Sequence, residues 1–242
     1  MNITSGKLKL TIAAVYLSLL FIGLYFLFSA VDIKDLTSYD FIRSKKDIIL
    51  QYKEENFLFL TITFFIFCIV WTLFLGFATP LLLFSGFVFG KWWGILIVLI
   101  STSIGATLLY VLAGAFFRDF IEEKLAPKFS KLKELFNKND TVYFMCFRFV
   151  GGGGAPYPAQ NVLPVLFNMP IKNYMIATAA GSLPSMFVTV AIGSGIEKII
   201  DENVELSFIK VISSPNIYLP LAGFFIILIS AFILKRIFFK KD

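Results

Sequence analysis

One arginine stands alone in an apolar stretch and is the residue best suited to bind a ligand. Arg148 lies between Phe147 and Phe149, and the nearest other charge is Asp140. If this stretch enters a membrane, the charge is costly and marks a pathway or a binding site. Four glycines follow it closely: Gly151, Gly152, Gly153 and Gly154. Their backbone N–H groups can form an anion-binding nest, and with a guanidinium they suit a phosphate group. The alternative is that Arg148 snorkels to the membrane surface.

Two side-chain amides continue the same stretch. Gln160 and Asn161 lie between Pro158 and Pro164. They either line a cavity and bind the same ligand, or they satisfy carbonyls that are freed where helices break. Arg118 ends an apolar run further upstream, where snorkelling alone accounts for a charge.

No catalytic or metal-binding pattern accompanies these residues. The sequence has no His, and it shows no HExxH, GxSxG or Walker-type motif. Residues 57–117 and 141–196 contain no Asp or Glu, so no carboxylate for ion coupling is visible there. Cys68 and Cys146 lie in apolar runs and are predicted to be buried thiols. The sequence therefore predicts a protein that is not an enzyme and that binds neither a metal nor a cofactor.

The composition identifies the environment of these residues. Of the 242 residues, 58% are hydrophobic and 16% are charged, whereas a soluble domain has about 25% charged residues. This excludes a soluble globule, a disordered chain and a collagen-like fibre, and it indicates a helical protein with several membrane spans. The net charge of +6 is typical of cytoplasmic loops that face anionic lipid, not of nucleic-acid binding.

Hydropathy divides the chain into five spans and two interrupted hairpins. The predicted spans are residues 10–30, the first part of 57–90, 95–117, 174–193 and 217–233. Residues 57–90 are too long for one crossing and too short for two, which favours a span followed by a re-entrant hairpin. Pro80, Gly86 and Gly90 interrupt that hairpin. The glycines and prolines of residues 141–169 interrupt a second one.

Two polar segments are predicted to lie along the membrane surface. Residues 31–56 contain a short helix. Residues 118–140 are amphipathic, and their apolar face is expected on the cytoplasmic surface, with partner binding as the alternative. That face consists of Ile121, Leu125, Phe129, Leu132 and Phe136.

The two halves of the chain repeat one pattern. Each has a broken hairpin, then an aromatic and basic junction, then a span with small residues. Gly105 lies in the first of these spans, and Gly181 and the helix-kinking Pro184 lie in the second. Paired interruptions point to a transport site near the membrane midplane, although small residues also permit close helix packing.

The distribution of Lys and Arg predicts the orientation. Residues 118–140 and the C-terminal tail are rich in both and are placed in the cytoplasm. The N-terminus stays open, since Lys7 and Lys9 favour the cytoplasm whereas alternation of the spans favours the other side.

The segment GFVFGKWWGILIVLISTSIGATLLYVLAGAFFRD resembles the signature of the DedA superfamily, in its VTT-domain branch (the SNARE-associated Golgi protein family). The matching features are GxxFG, a later GA with an aromatic residue, and a terminal Arg-Asp. The second half agrees through Arg148, a proline-bearing hairpin, Asn161, Gly181 and Pro184. The resemblance covers about residues 57–195.

This resemblance implies lipid transport or scrambling, including polyprenyl-phosphate carriers in some bacterial members. It implies two opposed re-entrant hairpins. The residues of this chain that match functional residues of the family are Gly86, Gly90, Gly105, Arg118, Arg148, Asn161 and Gly181. The chain departs from the family in two places. The acidic residue of proton-linked members is absent from PLLLFSGFVFG, and GGGGAPYP replaces bulkier residues.

Together these observations predict an all-α integral membrane protein with about five transmembrane helices and two opposed re-entrant hairpins related as an inverted repeat. We expect an N-terminal anchor and surface linker (1–56), a core (57–195), and an acidic loop with the last span and basic tail (196–242). The expected function is transport or scrambling of lipids, with lipid phosphates as partners, in the bacterial inner (plasma) membrane. The expected substrate-binding residues are Arg118, Arg148, Gly151, Gly152, Gly153, Gly154, Gln160 and Asn161. Alternatives are a small-solute or ion transporter and a non-catalytic scaffold.

Overall fold

The computed structural model describes residues 39–74, 78–125, 136, 138–151 and 155–201, with single positions near both ends. Every regular element in these residues is helical, which confirms the predicted all-helical class for this part of the chain. Most of the predicted spans 10–30 and 217–233, and the basic tail, lie outside the described residues.

Seven α-helices and one 3-10 helix make up the described part of the chain. In order they are α1 Tyr39–Glu55, α2 Phe57–Phe74, α3 Thr79–Phe116, α4 Arg118–Leu125, α5 Asp140–Phe149, α6 Tyr157–Val162, the 3-10 helix Leu163–Phe167, and α7 Ile171–Asp201. Among the described residues three segments are long and apolar enough to cross a membrane: α2, α3 and the Ile171–Ile196 part of α7. The chain is therefore an integral membrane protein.

Gly90 divides α3 into two segments, α3a (residues 79–89) and α3b (residues 91–116). Gly90 has φ 73° and ψ 174°, a conformation that side chains with a Cβ avoid. The Ser85 hydroxyl donates to the Gly94 carbonyl at 3.0 Å, although these positions would lie about 13 Å apart on a straight helix. The chain therefore reverses at Gly90, and α3b begins directly after it, several residues before the predicted start.

The second interruption lies between α5 and α7. After α5 ends, Gly151 adopts φ +74°, and the chain then forms α6 and the 3-10 helix. Pro158 and Pro164 lie in the first turns of these two helices, where a missing N–H is tolerated. Asn168, with φ 51°, ends the 3-10 helix before α7 begins. A helix–break–helix arrangement was predicted here.

The chain divides into two compact units. One contains residues 1–78 and 100–181, and the other contains residues 79–99 and 182–242.

In the first unit, α2 packs parallel to α3b. The Cys68 thiol forms a hydrogen bond with the Ser101 side chain. Further along both helices, a Cβ on Gly105 would lie 2.7 Å from the Ile69 carbonyl oxygen and 2.8 Å from Thr72 Cβ. Successive contacts thus advance in the same direction along both helices. For two consecutive membrane helices to run in the same direction, the chain between them must reverse twice.

The packing of α5 against α7 in the same unit is also parallel. The Asn173 amide donates to Asp140 at 3.0 Å, and a Cβ on Gly181 would lie 2.5 Å from the Met145 carbonyl oxygen and 2.8 Å from Arg148 Cβ. Arg148 precedes Gly181 by the same number of residues as Thr72 precedes Gly105. In each half, therefore, a helix packs parallel to a later helix that follows a residue with positive φ, Gly90 in the first half and Asn168 in the second.

In the second unit, glycines let α3a approach the later part of α7. A Cβ on Gly86 would lie 1.9 Å from the Val190 carbonyl oxygen, and one on Gly193 would lie 2.1 Å from the Leu83 carbonyl oxygen. The α7 helix continues through Pro184, which was predicted to kink this span.

Two burial predictions were wrong. Ile121 and Phe136 are 5% and 3% exposed and belong to a core cluster with Phe144, so protein and not lipid covers these two members of the amphipathic face. Periodicity defines a helix face but does not say what covers it. Both cysteines are free thiols, but only Cys68 is buried, whereas Cys146 is exposed.

Candidate functional site

Arg148 is buried inside the protein. Its helix begins at Asp140, where Asn139 caps α5 by accepting from the Val142 N–H at 3.0 Å. Arg148 follows about 12 Å further along the helix and is 3% exposed. The snorkelling alternative is wrong, because the guanidinium is turned to partners in the protein interior.

All the hydrogen bonds that the guanidinium of Arg148 makes to described residues come from one of its nitrogens, Nη2. Nη2 of Arg148 donates to Asn161 Oδ1 at 2.5 Å and to the Tyr174 hydroxyl at 3.2 Å. The Tyr174 hydroxyl in turn lies 3.1 Å from the Asn161 carbonyl oxygen and 3.2 Å from the Ala106 carbonyl oxygen, and its one hydrogen can be donated to either of them. The arginine is therefore held from α6 and α7 by neutral groups.

Aromatic rings surround the same group. The guanidinium carbon lies 5.0 Å from the Phe144 ring centroid and 5.3 Å from that of Tyr157. Tyr174 stacks on Tyr110, with 4.4 Å between ring centroids. Cation–π attraction stabilises a desolvated cation by about 2 kcal/mol, which offsets part of the cost of burying the charge.

Two nitrogens of Arg148 have no partner in the described part of the chain. Nε and Nη1 are buried without a hydrogen bond, and no described carboxylate pairs with the guanidinium. An unsatisfied buried donor costs about 1–3 kcal/mol, and more when it is charged. The arrangement therefore offers an unneutralised cation and free N–H donors, which is the chemistry of an anion site.

Gln160 adopts the second of its two predicted roles. Its Nε2 donates to the Gly151 carbonyl at 3.2 Å and to the Ala155 carbonyl at 2.7 Å. Both amide hydrogens are thus used on the two ends of the glycine segment, and none remains for an anion. Gly152, Gly153 and Gly154 lie outside the described residues, so the predicted nest stays a prediction.

Arg118 has partners away from this group. Its Nη2 donates to Asn168 Oδ1, and its Nη1 lies 3.6 Å from the Glu122 carboxylate in an exposed ion pair. Arg118 therefore holds the turn that follows the 3-10 helix, and the structure does not bring it into contact with Arg148.

The aromatic residues of the site were missed by the sequence analysis. Tyr157, Tyr174, Phe144 and Tyr110 lie in apolar runs, where hydropathy does not distinguish a site residue from a lipid-facing one. One weak signal for a site residue was available in the sequence, namely the hydroxyl group of Tyr174 at the start of a predicted span. In the described part of the chain no three His, Cys, Asp or Glu side chains come together as metal ligands.

Comparison with known proteins identifies the family. Residues 76–195 match the family model described as the VTT domain. The chain belongs to the VTT-domain family. The predicted relationship to the DedA superfamily is thereby confirmed. The VTT domain begins just after α2 and includes Arg148, Asn161 and Tyr174.

One curated relative supports the VTT assignment. The chain is 23% identical over 171 residues to the Transmembrane protein 41 homolog of Caenorhabditis elegans, covering 68% of each chain. No solved structure gives a significant match.

Proposed function

We propose that this VTT-domain protein moves lipids across the membrane, as a transporter or scramblase, and that Arg148 binds the phosphate of the lipid headgroup. The observation that carries the proposal is the buried guanidinium with two free nitrogens and no described carboxylate partner. Phosphate oxygens satisfy such donors through charge-assisted hydrogen bonds. The resemblance to the DedA superfamily supports lipids as the molecules that carry the phosphate.

The path of the chain supports a transport role. From the parallel packing within each half we infer that residues 57–116 make one net crossing of the membrane and that residues 140–201 make one net crossing in the opposite direction. The halves then form an inverted repeat, and α3a and residues 157–167 enter the membrane only part of the way. Inverted repeats with interrupted helices place their substrate sites near the membrane midplane.

The depth of Arg148 agrees with such a site. The residue lies about 12 Å along α5 from Asp140, whereas the hydrocarbon core is about 30 Å thick. A scaffold would gain nothing from an unneutralised charge at that depth.

We place the protein in the bacterial inner membrane with residues 118–140 and the C-terminus in the cytoplasm.

Lipid translocation in vesicles tests the proposal. Purified protein is reconstituted with a fluorescent phospholipid, and a membrane-impermeant reductant reports how fast lipid leaves the inner leaflet. We expect Arg148→Ala to slow translocation by about ten- to a hundredfold, because hydrogen bonds to charged groups contribute about 1.5–3 kcal/mol. Lys172→Ala is the matched control, since Lys172 is an exposed cation at the start of α7.

The choice of lipid separates the alternatives. Translocation of a polyprenyl phosphate or a phospholipid should depend on Arg148, whereas translocation of a neutral diacylglycerol should not. A full rate in Arg148→Ala would overturn the assigned role. Solute uptake that follows a gradient and ignores the lipid headgroup would favour a small-solute or ion transporter instead.

A further inference from the structure

We propose that the Arg148 site selects a phosphate with a single negative charge, such as a phosphodiester headgroup, over a doubly charged phosphomonoester, and that Asn161 and Tyr157 bind this phosphate together with Arg148. The inference rests on the proposed function, because it states which lipid phosphates the site accepts. It adds two residues that recognise the phosphate beside the arginine.

Unpartnered polar atoms are concentrated around the guanidinium. In the described part of the chain, eight buried side-chain nitrogen or oxygen atoms have no hydrogen-bond partner, and four of them belong to Arg148, Asn161 and Tyr157. They are Arg148 Nε and Nη1, Asn161 Nδ2 and the Tyr157 hydroxyl. Buried polar atoms nearly always have a partner. Half of the exceptions lie together here, which indicates that a ligand completes the site.

The Asn161 amide leaves a free donor beside the guanidinium. Asn161 is 0% exposed, and its Oδ1 accepts from Arg148 Nη2. The opposite orientation of the amide would bring Nδ2, a donor, against another donor, so Nδ2 is the end without a partner. The Tyr157 hydroxyl lies beside the Asn161 side chain, and the Tyr157 ring centroid is 5.3 Å from the guanidinium carbon. The four free atoms therefore form one group.

This group is made for an acceptor. The nitrogens of Arg148 and the Nδ2 of Asn161 can only donate hydrogen bonds, whereas the Tyr157 hydroxyl can donate or accept. A phosphodiester has two unprotonated oxygens that share one negative charge, so it accepts from these donors and needs no acceptor in return. A phosphomonoester meets this condition only when it loses its last proton, and it then carries two negative charges.

The charge of the site matches one negative charge and not two. Arg148 is the charged side chain that acts on both Tyr157 and Tyr174, and Arg118 pairs with Glu122 instead. The other described neighbours of the guanidinium are uncharged. A monoanion therefore gives a neutral complex, whereas a dianion leaves one buried negative charge without a partner, which is strongly disfavoured.

The binding of short-chain lipids tests the selectivity. The protein in detergent is heated with dihexanoyl phosphatidylglycerol, a phosphodiester, or with dihexanoyl phosphatidic acid, a phosphomonoester, because a bound ligand raises the unfolding temperature. The second pKa of a phosphomonoester is about 6. At about pH 8, where the monoester is a dianion, we expect the diester to bind about tenfold more tightly. At about pH 5.5, where the monoester carries mainly one charge, the preference should fall below about threefold.

The protein groups around the phosphate keep their charge over this range of pH. In the described part of the chain, the titratable side chains next to the guanidinium are Tyr157 on α6 and Tyr174 on α7, with Tyr110 of α3b stacked on Tyr174. The neighbour from α5 is Phe144, which does not titrate. A phenol ionises at about pH 10, so the change in preference reports the ionisation of the ligand.

Asn161→Asp tests the free amide donor. The variant keeps an acceptor for Arg148 Nη2, but it neutralises the cation and replaces the free donor with an acceptor. We expect the affinity for the phosphodiester to fall by more than about tenfold. The unfolding temperature without ligand should not fall, because the guanidinium gains a carboxylate partner. A purely structural role of Asn161 would leave the affinity unchanged.

Tyr157→Phe tests the hydroxyl. The variant keeps the ring that faces the guanidinium and removes one hydrogen bond to the phosphate, so we expect the affinity for the phosphodiester to fall about fivefold. Tyr143→Phe is the matched control, because it removes a hydroxyl from α5 and should leave the affinity unchanged. Equal affinities in the two variants would exclude Tyr157 from the site.

The outcomes separate this inference from the proposed function. Equal affinity for the two lipids at the higher pH, or wild-type affinity in Asn161→Asp, overturns the inference but leaves lipid transport standing. Selective binding by a protein that does not translocate lipid overturns the proposed function and leaves the inference standing. Equal stabilisation by glycerophosphoglycerol, a phosphodiester without acyl chains, would assign the site to a soluble ligand and overturn the lipid function.

Discussion

At the scale of single residues, the site depends on a hydroxyl that connects three elements. Tyr174 on α7 accepts from Arg148 of α5, and it lies within hydrogen-bonding distance of the Asn161 carbonyl of α6 and the Ala106 carbonyl of α3b. A buried charge that is held by neutral groups keeps its electrostatic demand for an anion, whereas a carboxylate partner would have satisfied it. Tyr174 therefore positions Arg148 without neutralising it.

Tyr174→Phe removes this hydroxyl and keeps the ring that stacks on Tyr110. We expect a loss of about 1–3 kcal/mol in unfolding free energy, because a buried hydrogen bond to a charged group is lost. Translocation should slow but not stop, since Asn161 still holds the guanidinium. Thermal unfolding in detergent and the vesicle assay measure the two effects.

Tyr143→Phe is the control for this prediction. Tyr143 lies on the same helix as Arg148, and the described part of the chain gives its hydroxyl no hydrogen-bond partner. Equal losses in Tyr143→Phe and Tyr174→Phe would show that the hydroxyl of Tyr174 has no special role.

The sequence predicted the polar half of the site and missed its aromatic half. Arg148 and Asn161 were identified because a charge and an amide are rare in apolar segments, and rarity is visible without a structure. Phe144 and Tyr157 could not be identified, because 17% of the chain is aromatic. Only the packing of α5 against α6 shows which rings face the guanidinium.

At the scale of helices, glycines determine which elements touch. The glycines at 105 and 181 let a neighbouring backbone approach to distances that a Cβ forbids. Close packing was the alternative explanation of the small-residue pattern, and Gly90 was predicted to interrupt its hairpin. The parallel direction of the packed helices was not predictable, because it depends on how often the chain reverses between them.

Gly181→Ala tests the packing of α5 against α7. The new methyl group would lie 2.5 Å from the Met145 carbonyl oxygen and 2.8 Å from Arg148 Cβ, so the two helices must separate. We expect a loss of about 1–3 kcal/mol in unfolding free energy and slower translocation, because Arg148 is displaced.

Gly114→Ala is the matched control, since it changes a glycine in another long helix. Its methyl group would lie 3.8 Å from Val165, an ordinary contact, and alanine favours a helix interior by about 1 kcal/mol. Unfolding temperatures in detergent should fall for Gly181→Ala and stay constant or rise for Gly114→Ala. A similar fall in both variants would contradict the packing argument.

At the scale of the whole molecule, the parallel packing of α2 and α3b leads to a prediction for the side of the membrane on which α1 lies. Since α2 runs in the same direction as α3b, we infer that residue 57 lies on the opposite side of the membrane from residue 117. With residues 118–140 proposed to lie in the cytoplasm, we expect α1 on the outer side of the membrane. If the sequence-predicted span 10–30 crosses the membrane once, Lys7 and Lys9 are expected inside, as the positive-inside rule favours. Alternation of the spans gave the opposite answer, because it counted α2 as a complete crossing before the hairpin.

Cysteine accessibility in intact cells tests this topology. In the background with Cys68→Ala and Cys146→Ala, we expect an impermeant maleimide to label Gln51→Cys on the exposed face of α1 without permeabilisation. Lys138→Cys, which is also exposed, should be labelled only after the membrane is opened. Labelling of both positions from the same side would mean that residues 57–116 do not make one net crossing. The two halves would then not be inverted, and the midplane position of Arg148 would lose its support.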